Sequence, residues 1–237
     1  MARLPNAKLS DFGKLVQFLK KSLPPTTWLN VSSGDRRSNP YGPLRGSSRI
    51  EALGILRQFK YFFLANFSRP ASDRCLYRAI RRHGVANIVE IGMGSGRRAR
   101  RMIQLASCGN SIVRYTAIDP FESRDAESAP GLSIKEAYQH LRPTGAAIQL
   151  VPGDPLSALT RVANSLTGTD LLVVTLDADW ESLRHAWRYV PRMLHRRSLV
   201  YVEEPGGNGE GSRFVRLALG EVNRLAESQP RLHRKAA

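Results

Sequence analysis

A doubly wound α/β domain with a mostly parallel, Rossmann-like sheet is the fold class this sequence predicts, and three observations predict it. From residue 86 short apolar runs alternate with stretches of helical length, the rhythm of β-α-β units. A glycine-rich turn, "GMGSG" (92–96), joins the first run to the first such helix. Acidic residues then fall at the ends of the later runs, where an open parallel sheet binds its ligands.

Each element follows in order. Leu9, Phe12, Val16, Leu19 and Leu23 share one helical face, with Lys14, Lys20 and Lys21 mostly elsewhere. Residues 22–48, rich in Pro, Gly and Ser, read as a linker. Helices follow at 49–67, where Phe62, Phe63 and Phe67 are assigned to the core, and at about 71–84. Residues 1–85 thus form a helical N-terminal extension and 86–230 the Rossmann-like domain, with a basic tail at 231–237. Strands are expected at "NIVEIG" (87–92), "VRYTAID" (113–119), "AAIQLVPGD" (146–154), "DLLVVTLDAD" (170–179) and "SLVYVEE" (198–204). Helices are expected from the glycine turn to about 107, then at 133–141, 155–166, 181–194 and about 212–227. The 33 residues after Glu204 read as a glycine loop, one helix and the basic tail, with no further strands and no C-terminal strand hairpin.

The 237-residue chain carries 36 basic and 20 acidic residues, a formal charge of +16. Such a field favours acidic partners, so nucleic acid and anionic membrane surfaces stand as candidates beside a plain solvated surface. Cys75 and Cys108 have no C-x-x-C spacing, and the five histidines have no ligand spacing, so neither a disulfide framework nor a zinc site is indicated. The N-terminus lacks the pattern of a signal peptide, and no run reaches the roughly 20 apolar residues of a membrane span. A cytoplasmic location is the expectation.

The glycine turn decides the ligand class. A hydride-transfer dinucleotide fold needs G-x-G-x-x-G, and Arg97 stands where its third glycine belongs. A P-loop needs G-x-x-x-x-G-K-[ST], and no lysine follows Gly96. The pattern present is acid-x-Gly-x-Gly-x-Gly: Glu90, Gly92, Gly94 and Gly96. It resembles the first motif of class I S-adenosylmethionine-dependent methyltransferases, whose cofactor carries an ammonium and a sulfonium rather than a phosphate. Arg97 to Arg101 are then assigned mostly to solvent.

The resemblance implies further residues. Asp119, 23 residues past Gly96, matches the acid that accepts hydrogen bonds from the ribose hydroxyls. Asp154 in "LVPGDP" matches an acid near the adenine amino group, and it equally suits the cap of a helix starting at Pro155. "LDADWES" is similar to the fourth-strand motif of small-molecule O-methyltransferases of the catechol type. Asp177 would then be a Mg²⁺ ligand and Asp179 would face cofactor or substrate. Two positions depart from that family: Trp180 replaces a lysine, and Glu203-Glu204 replaces Asp-Asn on the fifth strand. A metal held by Asp177 and Glu203 therefore competes with a metal-free Asp177 acting as base or substrate contact.

The implied activity is S-adenosylmethionine-dependent O-methylation of a small molecule, with Asp177, Asp179 and Glu203 on the acceptor side. Two alternatives stay open. One is methylation of RNA bound by the basic surface; the other is a catalytically degenerate, methyltransferase-like binding protein.

Overall fold

The computed structural model describes residues 62–109, 112–124, 131–206 and 211–228. The expected helix at 9–23, the linker at 22–48, most of the helix at 49–67 and the tail lie outside those residues. Residues 62–67 are helical. The chain then runs through α1 (Arg74–His83), β1 (Asn87–Ile91), α2 (Arg97–Ala106), β2 (Arg114–Asp119), α3 (Ile134–Leu141), β3 (Ala147–Pro152) and α4 (Pro155–Val162). It continues with β4 (Thr169–Val174), α5 (Trp180–Ala186), β5 (Leu194–Pro205), β6 (Ser212–Leu217) and α6 (Leu219–Glu227).

The six strands form one sheet in the order β3-β2-β1-β4-β5-β6. The first five are parallel and β6 runs antiparallel beside β5. The order reverses direction between β1 and β4, which makes the carboxyl ends of those strands the switch point where such sheets bind ligands. The central strand β4 is apolar from its third residue on: Leu171, Leu172, Val173 and Val174 are all fully buried. Alternate residues of each strand feed two cores. Ile88, Tyr115, Leu171 and Val173 pack on the side of α1, α2 and α3. Val89, Ile118, Leu172 and Val174 pack on the side of α4, α5 and α6. The result is a three-layer, Rossmann-like α/β fold.

Local signals set the helix starts. Asp154 accepts from the Ser157 amide at 3.0 Å and precedes Pro155, whose missing N–H costs nothing in a first turn. Ser133 and Glu136 form a reciprocal capping box at α3. Asp179 accepts from the amides of Glu181 and Ser182 and opens α5.

Three expectations need correction. The helix read at 212–227 is a strand over Ser212–Leu217 followed by a shorter helix, so a sixth strand that the sequence reading did not expect is present, antiparallel to β5. Its edge position explains the misreading. "SRFVRL" is only partly buried, with Arg213 and Arg216 turned outward, a pattern that fits a period of three as well as two. The strand expected over 170–179 stops at Val174, leaving the Asp-Ala-Asp tripeptide in the turn beyond it. The phenylalanines assigned to the core are also placed otherwise: Phe63 and Phe67 are 60% and 56% exposed.

Candidate cofactor and active site

Between β1 and α2 the backbone turns through Gly92, Gly94 and Gly96, all with positive φ (86°, 56° and 69°). Space makes the same demand at two of them. A Cβ on Gly92 would sit 2.8 Å from the Ala178 amide nitrogen, and one on Gly94 would collide with the Asp177 carboxylate. The turn therefore lies directly under the loop that leaves β4. Thr175 fastens the two together, its hydroxyl donating to the Gly92 carbonyl at 2.6 Å.

Asp119, at the end of β2, is buried and meets the turn from the other side. Its Oδ2 accepts from the amides of Met93 (2.7 Å) and Gly94 (3.3 Å), and its Oδ1 from the amide of Phe121 (2.9 Å). Arg124 then closes on both oxygens, Nη2 lying 2.7 and 2.6 Å away. Among the described residues, the buried Nε of Arg124 has no hydrogen-bond partner. Asp119 is thus fully engaged by the chain itself.

Glu90 lies beneath the turn rather than open to it. It is completely buried, accepts from the Tyr115 hydroxyl at 2.5 Å and faces Arg98 at 3.5 Å. Burial pushes its carboxyl up to about 7, against the opposing pull of Arg98 and Tyr115. Arg98 is the hub of this network. It donates to Asp73 at 2.7 Å and to Glu203 at 3.4 Å, and stands over the Phe214 ring at 5.0 Å. Burial opposes its charge, but Glu90, Asp73 and Glu203 outweigh that and raise its pKa further. The assignment of Arg97–Arg101 to solvent therefore fails at Arg98, which turns inward and ties α1, β1, β5 and β6 together.

Glu203 belongs to the same network. Its Oε1 accepts from Ser212 at 2.5 Å, and its Oε2 from the Leu176 amide at 3.3 Å as well as from Arg98. Those contacts join β5, β6 and the end of β4. Asp177 is different: it is exposed, and among the described residues no hydrogen bond reaches its carboxylate. Leu176 and Trp180 flank it, 40% and 38% exposed. Asp179, two residues on, is occupied as the cap of α5. Asp154 caps α4 and also accepts from the Ser182 hydroxyl. Its slight burial works upward, but the bonds from Ser157 and Ser182 prevail and hold its carboxyl down near 2.

A divalent metal does not fit this arrangement. Glu203 already holds Ser212, the Leu176 amide and the Arg98 cation, which opposes a second cation there, and among the described residues no group of three or more His, Cys, Asp or Glu side chains converges. What the structure brings together is the glycine turn, Asp119 and Asp177 at the switch point; Asp154 and Asp179 stand at helix starts. Sequence reasoning missed Arg98, Tyr115, Arg124 and Ser212. Helical spacing carried one signal, since Arg98 falls in phase with buried Met102 and Leu105. For Arg124 the sequence holds no signal. A separate groove of about 250 Å³ lies at the opposite ends of β1–β3, lined by Asn87, Arg114, Gln149 and Thr167, away from this chemistry.

No family model matches the chain, and no curated protein matches its sequence. Among solved structures it is similar to a putative O-methyltransferase from Klebsiella pneumoniae, at 15% identity over 92% of this chain and 86% of that one, with a TM-score of 0.45. It is similar to the O-methyltransferase TomG from Streptomyces achromogenes, solved with S-adenosylmethionine, at 15% identity over 76% and 82% of the two chains (TM-score 0.44). A TehB-like S-adenosylmethionine-dependent methyltransferase from Corynebacterium glutamicum matches at 17% identity over 76% and 82%, with a TM-score of 0.41.

Proposed function

We propose that this chain is a class I S-adenosylmethionine-dependent methyltransferase acting on an oxygen of a small molecule. One observation carries the reading: a three-glycine turn at the sheet's switch point, with Asp119 bound to its amides on one side and Asp177 standing over Gly94 on the other. The missing Cβ atoms let the turn lie close against the loop that leaves β4, which brings the free Asp177 carboxylate, suited to a cationic ligand, over the turn. The turn and Asp119 would hold the cofactor, with Glu90 fixing the strand beneath them. Arg124 would have to leave Asp119 for a ribose to take its place.

The bound cofactor supplies an already activated methyl group, so the protein's tasks are alignment and proton removal. Asp177 is the base in this reading. Its free carboxylate can hold an acceptor hydroxyl and receive the proton that the oxygen gives up. Leu176 and Trp180 offer apolar surface beside it. Glu203 acts through position, fixing the Leu176 amide and so the loop that carries Asp177. Asp179 contributes the cap of α5, and Asp154 that of α4.

A second reading, a domain that binds without turnover, is favoured by the saturation of Asp119. Mass spectrometry of the purified, undenatured protein separates the two when followed by incubation with labelled cofactor and a panel of hydroxylated acceptors. The methyltransferase reading expects retained S-adenosylmethionine or its demethylated product, and label transfer lost on Asp177→Asn. Retention with no transfer to any acceptor would favour the binding domain. Neither retention nor binding would remove both.

A further inference from the structure

The stretch from Arg74 to Ile118 contains nine arginines and a single acid, Glu90, which is buried. The fold turns that imbalance into one surface. On α1, Arg74, Arg78, Arg81 and Arg82 recur at helical spacing opposite buried Leu76, Tyr77, Ala79 and Ile80. On α2, Arg97, Arg100 and Arg101 do the same opposite Ala99, Met102 and Ile103. Both helices pack on the same core. Among the described residues Arg98 is the one arginine of these helices that joins an ion pair. The other seven pair with no carboxylate of the described residues.

A second feature borders this surface. Arg74 donates to the Ser68 carbonyl (3.0 Å), Arg78 to that of Ala65 (3.2 Å) and Arg101 to that of Arg69 (2.8 Å). Three arginines from both stripes thus clamp residues 65–69 against the helix pair. On that clamped segment Phe63 and Phe67 are more than half exposed, with ring centroids 5.8 Å apart. Two bare phenyl rings held in water next to an arginine field are costly for a free surface.

We propose that the face formed by α1, α2 and residues 62–69 is a docking surface for an anionic lipid bilayer. The phenyl rings enter the interface between headgroups and acyl chains, while Arg81, Arg82, Arg97 and Arg100 lie against the phosphates. Phenylalanine has no polar edge to satisfy at that depth. Guanidinium groups fit phosphate oxygens two at a time. Single-stranded RNA is the competing polyanion, but it asks for rings with free faces, and Phe63 and Phe67 each turn a face on the other.

Co-sedimentation of the full-length chain with vesicles tests this. Vesicles of phosphatidylcholine alone are compared with vesicles containing a third phosphatidylserine, at low and high salt. Binding is expected only to the anionic vesicles, and it should fall steeply as salt rises. Two variants assign it, because Lys14, Lys20 and Lys21 could attract lipid on their own. Phe63→Ser/Phe67→Ser and Arg81→Gln/Arg82→Gln/Arg97→Gln/Arg100→Gln should each weaken partitioning by about tenfold or more. Circular dichroism checks that both remain folded, and the salt dependence of the wild type needs no variant. Equal pelleting with neutral vesicles, or full binding by both variants, would overturn the proposal. So would RNA retention on a filter with no vesicle binding.

Discussion

Glu90 is the residue whose setting most exceeds what its position announced. Its place two residues before the glycines marked it for a cofactor; the structure gives it Tyr115 and Arg98 as partners inside the core. A carboxyl that titrates near 7 when folded and near 4.5 when unfolded is favoured in its neutral form by the fold. Its contribution is therefore fully present below about pH 4.5 and is lost as pH rises to about 7, a change on the order of 3 kcal/mol. Urea unfolding across that range should show the fall, and Glu90→Gln should flatten it. An unchanged slope in the variant would show that Glu90 does not titrate there. Arg98 is the complementary case, among the described residues the one cation paired with Asp73, Glu90 and Glu203. Arg98→Ala leaves those carboxylates without it and should cost about 3–5 kcal/mol in the same measurement. Arg124 has a functional counterpart: Arg124→Ala frees Asp119 and should tighten cofactor binding. Weaker binding would mean that Arg124 contacts the ligand instead of competing with it.

At the scale of elements, the glycine turn and the caps separate structural roles from binding roles. Gly92→Ala meets backbone at Ala178 and Asp177, which cannot yield, whereas Gly94→Ala meets a side-chain carboxylate that can swing away. The first should lower thermal stability more than the second, while the second should already disturb binding by moving Asp177. Asp154→Ala should cost about 1 kcal/mol through the lost cap of α4. If its cofactor affinity is unchanged, Asp154 is a cap alone. The parallel part of the fold was legible because buried strands such as β4 and β1 write themselves as apolar runs between turn signals. The edge strand β6 was not, because a half-wet strand with Arg213 and Arg216 outward has no distinctive period. Within the candidate site, local spacing singled out the glycines, Asp119 and Asp177, and the structure places these together at the switch point. Glu203 joins Ser212 across the β5–β6 hairpin and Arg98 from α2, and such long-range meetings leave no trace in spacing.

For the whole molecule, the sheet's switch point carries the acid-glycine constellation on which the proposed cofactor site rests, while the arginine face lies on the outer sides of α1 and α2. The two proposals can therefore be tested apart, since the four-glutamine surface variant leaves the turn, Asp119 and Asp177 unsubstituted. The most direct test of the central claim is calorimetric titration of S-adenosylmethionine, and of its demethylated product, into the purified full-length chain. Saturable one-site binding is expected, with a dissociation constant on the order of micromolar, about −8 kcal/mol, weakened at least tenfold by Asp119→Asn and by Gly94→Val. Neither heat nor a thermal shift with either compound, in a folded protein, would contradict it.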